Sequence, residues 1–157
     1  MSSLKTKATA RRVQYAALPF RRKATSRVQV MLVTSRDTGR WIIPKGWPIR
    51  RKAPHTSAAR EALEEAGVVG RIGKDPIGTY SYKKRLAGGA IVTCEVQVFL
   101  LEVKRQQRHW PEKEEREFHW FSPTRAANAV QEPALGDIIR SFSRTKQTSV
   151  GSDRVRW

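Results

Sequence analysis

Three glutamates fall within five residues, Glu61, Glu64 and Glu65, in a chain that is otherwise strongly basic. The surrounding residues 56–66 have the spacing of a helix: Ala59, Ala62, Leu63 and Ala66 recur at i, i+3, i+4 and i+7 and are expected to form its buried stripe. Gly67 follows directly and is suited to the left-handed residue that ends many helices. On that helix Glu61 and Glu65 stand one turn apart on one side, with Glu64 beside them. Their repulsion costs a few tenths of a kcal/mol per pair, roughly, and Arg60 offsets part of it by pairing with Glu64 at i+4. A solvated acidic face is the ordinary explanation of such a helix. Composition argues against it here. Lys and Arg total 31 against 14 acids, for a net charge of +17, so carboxylates are scarce and yet three share adjacent turns. Clustered oxygen ligands of this kind suit Mg²⁺, a hard ion that prefers carboxylates and water.

The same charge balance draws polyanions: nucleic acid, anionic lipid or a polyphosphorylated small molecule. At 157 residues the chain fits one domain with a core that needs no disulfide support. The single cysteine, Cys94, excludes an internal disulfide framework and a multi-thiolate metal site, and its apolar surroundings in residues 91–96 predict a buried thiol. His55, His109 and His119 lack metal-ligand spacing, and Trp41 and Trp120 are expected in the core. No apolar stretch is long enough to span a bilayer, and the basic N-terminus leads into no hydrophobic segment, so a cytoplasmic protein is expected.

Along the chain, residues 29–34 form a continuous apolar run that reads as a buried strand, and residues 41–43 resume one that Pro44 ends. A basic loop over 45–54 precedes the acidic helix. Residues 77–82 alternate like a strand. Lys83, Lys84 and Arg85 read as a basic loop leading into a long strand over 90–104. A polar loop over 105–115, a strand at 118–121 and helices over 124–130 and 137–142 complete the domain. Residues 1–13 read as a disordered basic arm and 143–157 as a loose basic tail, leaving 14–142 as the single folded domain. Strands alternating irregularly with helices indicate an α/β sandwich.

Gly46 and the run Arg60-Glu61-Ala62-Leu63-Glu64-Glu65-Ala66-Gly67-Val68 resemble the Nudix box, G-x5-E-x7-R-E-U-x-E-E-x-G-U with U apolar. The spacing from Gly46 to Arg60 is the family's. One fixed position departs, because Lys52 stands where the box carries its first glutamate. Residues 35–36, 40–46, the long strand from Ala90 and residues 117–121 look like the diphosphoinositol polyphosphate phosphohydrolase branch of that family. The resemblance implies an α/β/α sandwich with a mixed central sheet, and a hydrolase dependent on Mg²⁺, with Mn²⁺ as the alternative ion. It implies Glu61, Glu65 and a backbone carbonyl at Gly46 or Lys45 as metal ligands, Glu64 as the group that holds a further metal or accepts the proton of the attacking water, and Arg60 as the residue that orients the carboxylates. Arg22, Lys23, Arg36, Lys45, Lys83, Lys84, Arg85 and Arg116 become candidates to bind a polyphosphorylated small molecule, a diphosphoinositol polyphosphate or dinucleoside polyphosphate. The alternatives are nucleoside diphosphate derivatives or capped RNA as substrates, or a catalytically weak module that binds nucleic acid through its basic surface.

Overall fold

The computed structural model describes residues 11–25 and 27–148. Its element order is β1 (Arg11–Arg22), β2 (Val28–Thr34), β3 (Trp41–Ile42), β4 (Lys45–Gly46), α1 (Pro54–Ala66), β5 (Val68–Ile72), β6 (Gly78–Arg85), β7 (Ile91–Gln106), β8 (Phe118–Phe121), α2 (Pro123–Ala129) and α3 (Pro133–Thr148). The strands form one mixed sheet. β1 and β7 lie parallel at its centre, in register from Arg11↔Thr93 to Phe20↔Glu102. Every other pairing is antiparallel. Two apolar cores form because successive side chains of a strand point to opposite faces. Leu18, Val30, Leu32, Val96 and Val98 meet Ala126, Leu135, Ile139 and Phe142 of α2 and α3. Ala17, Met31, Val33, Phe99 and Leu101 meet Ala58, Ala62 and Ala66 of α1. The expected α/β/α sandwich is therefore present. β2 is buried on both faces, which is why its sequence shows no alternation, and Cys94 is fully buried as expected.

β1 corrects the reading of the N-terminal segment. The strand begins at Arg11, inside the supposed arm, and crosses the middle of the sheet; residues 1–10 of that arm lie outside the described residues. Pro19 argues against a central strand because it cannot donate to a ladder. It is tolerated because β1 changes partner there. Tyr15 and Ala16 pair with β4, the Ala17 amide donates to the Pro44 carbonyl at 3.0 Å, and Phe20 to Arg22 pair with β2. Amides alternate in direction along a strand, so the position of Pro19 points its absent N–H into the gap between β4 and β2. At the other end α3 runs to Thr148, into the expected tail, and residues 149–157 lie outside the described residues. Lys83, Lys84 and Arg85 are strand, not loop, paired with Thr93, Val92 and Ile91 of β7.

Candidate active site

Helix α1 turns its acidic side inward. Its buried positions are Ser57, Ala58, Ala62, Glu65 and Ala66, one residue round from the expected stripe, with Ala59 and Leu63 only half-buried. That rotation aims Glu61 and Glu65 at the sheet instead of at solvent. Three devices hold the helix in place. Pro54 begins it, where a missing N–H costs no helical bond. Ser57 Oγ accepts the Ile49 amide at 3.1 Å and ties the preceding loop down. Gly67 ends it in the left-handed region at φ 71°, where its N–H reaches the carbonyls of Ala62 and Leu63.

β4 brings Gly46 against the helix. A Cβ at that position would overlap the Glu61 carboxyl group, so only glycine permits the approach. Around this contact opens a cleft of about 350 Å³. Gly46, Glu61, Glu64 and Glu65 line one wall, and Arg36, Lys45, Lys84 and Arg116 contribute cations to the same space. Gln14, Ser35, Asp37, Trp47, Tyr82 and Glu112 complete it.

The expected site residues divide into two groups. Gly46, Glu61, Glu64, Glu65, Arg36, Lys45, Lys84 and Arg116 share the cleft; the rest of the expected set do not line it. Arg22 and Lys23 lie at the far end of β1, seven residues beyond Tyr15 and therefore roughly 23 Å away at the rise of a strand. Lys83 and Arg85 point away from Lys84 by the alternation of β6 and bond instead to Thr93 Oγ1 and the Gly89 carbonyl. Arg60 is half exposed and reaches only Glu64, at 3.9 Å. The arginine that orients a box carboxylate is Arg116, expected as a substrate ligand. Its side chain is 8% exposed, with one nitrogen 3.5 Å from Glu65, Nε bonded to Glu112 at 2.7 Å and the other nitrogen donating to the Thr34 carbonyl at 3.0 Å. Lys52 is exposed on the loop before α1 and does not line the cleft.

The cleft also holds residues outside the expected set, Gln14, Tyr82 and Glu112 among them. Tyr82 donates to Gln14 Oε1 at 2.7 Å and lies beneath the Lys45 ammonium, 4.9 Å from the ring centre. Tyr82 ends the segment read as a strand and sits two residues from Lys84 on one strand face, whereas Gln14 stands at the start of the expected domain with no local signal. Glu112 comes from the polar loop, anchored by its amide bonding to the Glu64 carbonyl at 3.0 Å.

Burial dominates the electrostatics. It pushes the Glu65 carboxyl up to about 8 despite the neighbouring Arg116, with Glu61 adding to the rise. Burial likewise raises Glu61, helped by the charge of Glu64. Lys45 is pulled down to about 8 by burial, against the attraction of Glu65 and Glu132. Oxygen Oε1 of Glu65 is buried and accepts no hydrogen bond. Such an atom is costly unless something binds it. Among the described residues no three His, Cys, Asp or Glu side chains converge on one point. The site instead offers the Glu61–Glu65 pair, the Gly46 backbone close against it and Glu64 at the rim. A divalent cation between the two carboxylates would complete the orphaned oxygen and reverse the burial penalty on both. The donor set, all oxygen, fits such an ion.

Residues 10–142 match the family model for the NUDIX domain. The chain belongs to the Nudix family. Family members generally use divalent metal ions such as Mg²⁺, in keeping with the donor set just described. Among curated Nudix relatives, Nudix hydrolase 13, mitochondrial, of Arabidopsis thaliana is 29% identical over 76% of this chain and 61% of its own length. Nudix hydrolase 16, mitochondrial, from the same plant is 30% identical over 71% of this chain and 63% of its own. The chain thus spans about three fifths of the length of these relatives. Solved Nudix structures share the fold. A C. elegans Ap4A hydrolase superposes with a TM-score of 0.61 at 18% identity, covering 85% of this chain and 96% of that one. The NUDIX domain of Shewanella oneidensis NrtR, solved with ADP ribose, gives 0.64 at 16% identity, over 89% and 92%. Among the described residues no helix is long and apolar enough to cross a membrane.

Proposed function

We propose that this Nudix domain is a Mg²⁺-dependent pyrophosphohydrolase that cleaves a phosphoric anhydride in a polyphosphorylated small molecule, a dinucleoside polyphosphate or diphosphoinositol polyphosphate. One observation carries the proposal: a buried carboxylate pair with an unsatisfied oxygen faces Arg36, Lys45 and Lys84 across a single cleft. Cations that line a site beside carboxylates recognise phosphate when metal neutralises the acids, and Arg36 presents a planar fork suited to phosphate oxygens. The basic chain favours substrates with more phosphates over fewer. The structurally similar C. elegans Ap4A hydrolase agrees with a dinucleoside polyphosphate.

Glu61 and Glu65 would hold the metal, with the Gly46 carbonyl beside them. When bound, the ion neutralises the diphosphate and lowers the pKa of water. The remaining work belongs to the chain. Arg116 fixes Glu65 and Glu112 in place through its fork. Glu64, which lines the cleft and is more open to solvent than Glu65, takes the proton of the attacking water. Lys45, Lys84 and Arg36 hold the phosphates in line for attack and stabilise the charge that leaves.

Phosphate release should be measured across diadenosine polyphosphates, inositol pyrophosphates, nucleoside diphosphate sugars and capped RNA, each with Mg²⁺ and with chelator. Turnover is expected for the first two classes only, and Glu65→Gln is expected to reduce it at least 100-fold. Undiminished turnover in Glu65→Gln, or in chelator, would refute the mechanism.

A further inference from the structure

Two of the cations absent from the cleft, Arg22 and Lys23, lie at the opposite end of the sheet. β1 and β2 meet there in a turn, closed by the Lys23 amide bonding to the Arg27 carbonyl at 2.8 Å, and Arg22, Lys23 and Arg27 are all exposed. Beside the turn is a groove of about 300 Å³, lined by Gln29, His119, Trp120, Phe121, Ser122 and Arg125. Gln29 is the second residue of β2 and Ser35 follows its last, so nearly the length of that strand, roughly 20 Å, separates this groove from the acidic cleft.

The groove combines planar surfaces with positive charge. Arg21 lies over the Trp120 ring, its guanidinium carbon 4.1 Å from the centroid, and its Nε donates to Gln29 Oε1 at 2.9 Å. That bond fixes the orientation of the guanidinium and leaves a flat cationic shelf at the groove wall. Arg125, on the first turn of α2, is exposed. Lys23, Arg27 and Arg125 make no ion pair among the described residues.

We infer that this end of the sheet is a second binding site, for a segment of single-stranded nucleic acid. One base lies flat on the Arg21–Trp120 stack, and the flanking phosphates run across Arg125 and the β1–β2 turn. Aromatic and guanidinium planes accept any base, and clustered cations follow the backbone, which is how single strands are held without sequence preference. An anionic membrane fits less well. The surface is concave, and the Trp120 ring lies against Arg21 and does not project toward lipid. The inference is independent of the reaction proposed for the cleft.

The test is fluorescence anisotropy with a labelled oligouridylate of about twelve nucleotides, added to the full chain. With four cations engaged, the slope of log K against log salt is expected near about −3. Arg27→Glu combined with Arg125→Glu is expected to weaken binding at least tenfold with an unchanged melting temperature. Arg21→Lys keeps the charge and removes the plane; it is expected to weaken binding about fivefold or more without altering the salt slope. Unchanged affinity in either variant would overturn the inference, as would equal binding of a duplex of the same length. Retention on phosphatidylserine vesicles in place of the oligonucleotide would assign the surface to lipid and overturn it too.

Discussion

Replacing Arg116 with alanine tests how the buried carboxylates are held. The side chain is 8% exposed and makes three polar contacts, to Glu65 at 3.5 Å, Glu112 at 2.7 Å and the Thr34 carbonyl at 3.0 Å. Its loss strands an ionised Glu65 that is itself 6% exposed. Breaking a buried pair on one side costs about 3–5 kcal/mol, which for a domain of this size lowers Tm by about 10 °C. The size of the loss depends on pH. Burial raises Glu65 to about 8 in the folded chain, above the ordinary carboxyl range of the unfolded one. Between those values the folded protein holds a proton that the unfolded chain has released, so stability from this group is full at low pH and drains away as pH climbs toward 8. At pH 6 Glu65 is largely neutral, and Arg116→Ala forfeits mainly its bonds to Glu112 and Thr34, about 1–3 kcal/mol. At pH 9 Glu65 is ionised and the whole penalty applies. Urea unfolding of wild type and variant with divalent ions chelated, at pH 6 and pH 9, measures the difference. A loss that is the same at both pH values would refute the assignment of Arg116 as the partner of an ionising Glu65.

Gly46→Ala is expected to displace the Glu61 carboxyl that its Cβ would overlap, abolishing the rise in Tm expected of wild type with Mg²⁺; differential scanning fluorimetry with and without Mg²⁺ reads this directly. Lys52→Glu, which restores the glutamate of the family pattern on an exposed loop outside the cleft, is expected to change turnover by less than about threefold, because exposed charges far from the reacting atoms contribute little. Tyr82→Phe removes the donor to Gln14, which is 3% exposed and bonds to no other side chain among the described residues; the stranded acceptor is expected to cost about 1–3 kcal/mol in urea unfolding.

How much of this was legible beforehand depended on whether one element or several set the outcome. β2, α1 and β8 were readable because each carries its signal locally: an unbroken apolar run, a helical period ending in Gly67, and an aromatic run ahead of Ser122 and Pro123. β1 was not readable, since Ala16 and Ala17 favour strands weakly and Pro19 opposes a central one. The switch of partner from β4 to β2 that makes Pro19 harmless is a property of three strands at once. In β6 the consecutive cations Lys83, Lys84 and Arg85 disguised a strand as a loop, yet the pleat gives only Lys84 to the cleft. A basic residue next to a motif is therefore weak evidence of a ligand contact until its strand face is known.

The same reasoning explains why the acidic stripe is chemically special. Had α1 centred its contact on the expected stripe of Ala59, Ala62, Leu63 and Ala66, Glu65 would have lain nearer water and behaved as an ordinary carboxylate. Packing through Ala58, Ala62 and Ala66 instead brings Glu65 inside with them. Three alanines are small enough to let the helix approach the sheet closely, and the closeness is what burial of the carboxylates requires. Gly46 carries the same logic across the cleft, since a Cβ there would push the Glu61 carboxyl group out of its place against the strand. Small residues on both sides of the contact thus create a low-dielectric cleft in which paired acids carry a raised proton affinity, and a divalent cation competes with those protons for the same oxygens. It follows that cation binding should strengthen with pH through the range in which Glu65 ionises. The helix rotation, not the number of glutamates, makes α1 a candidate metal site.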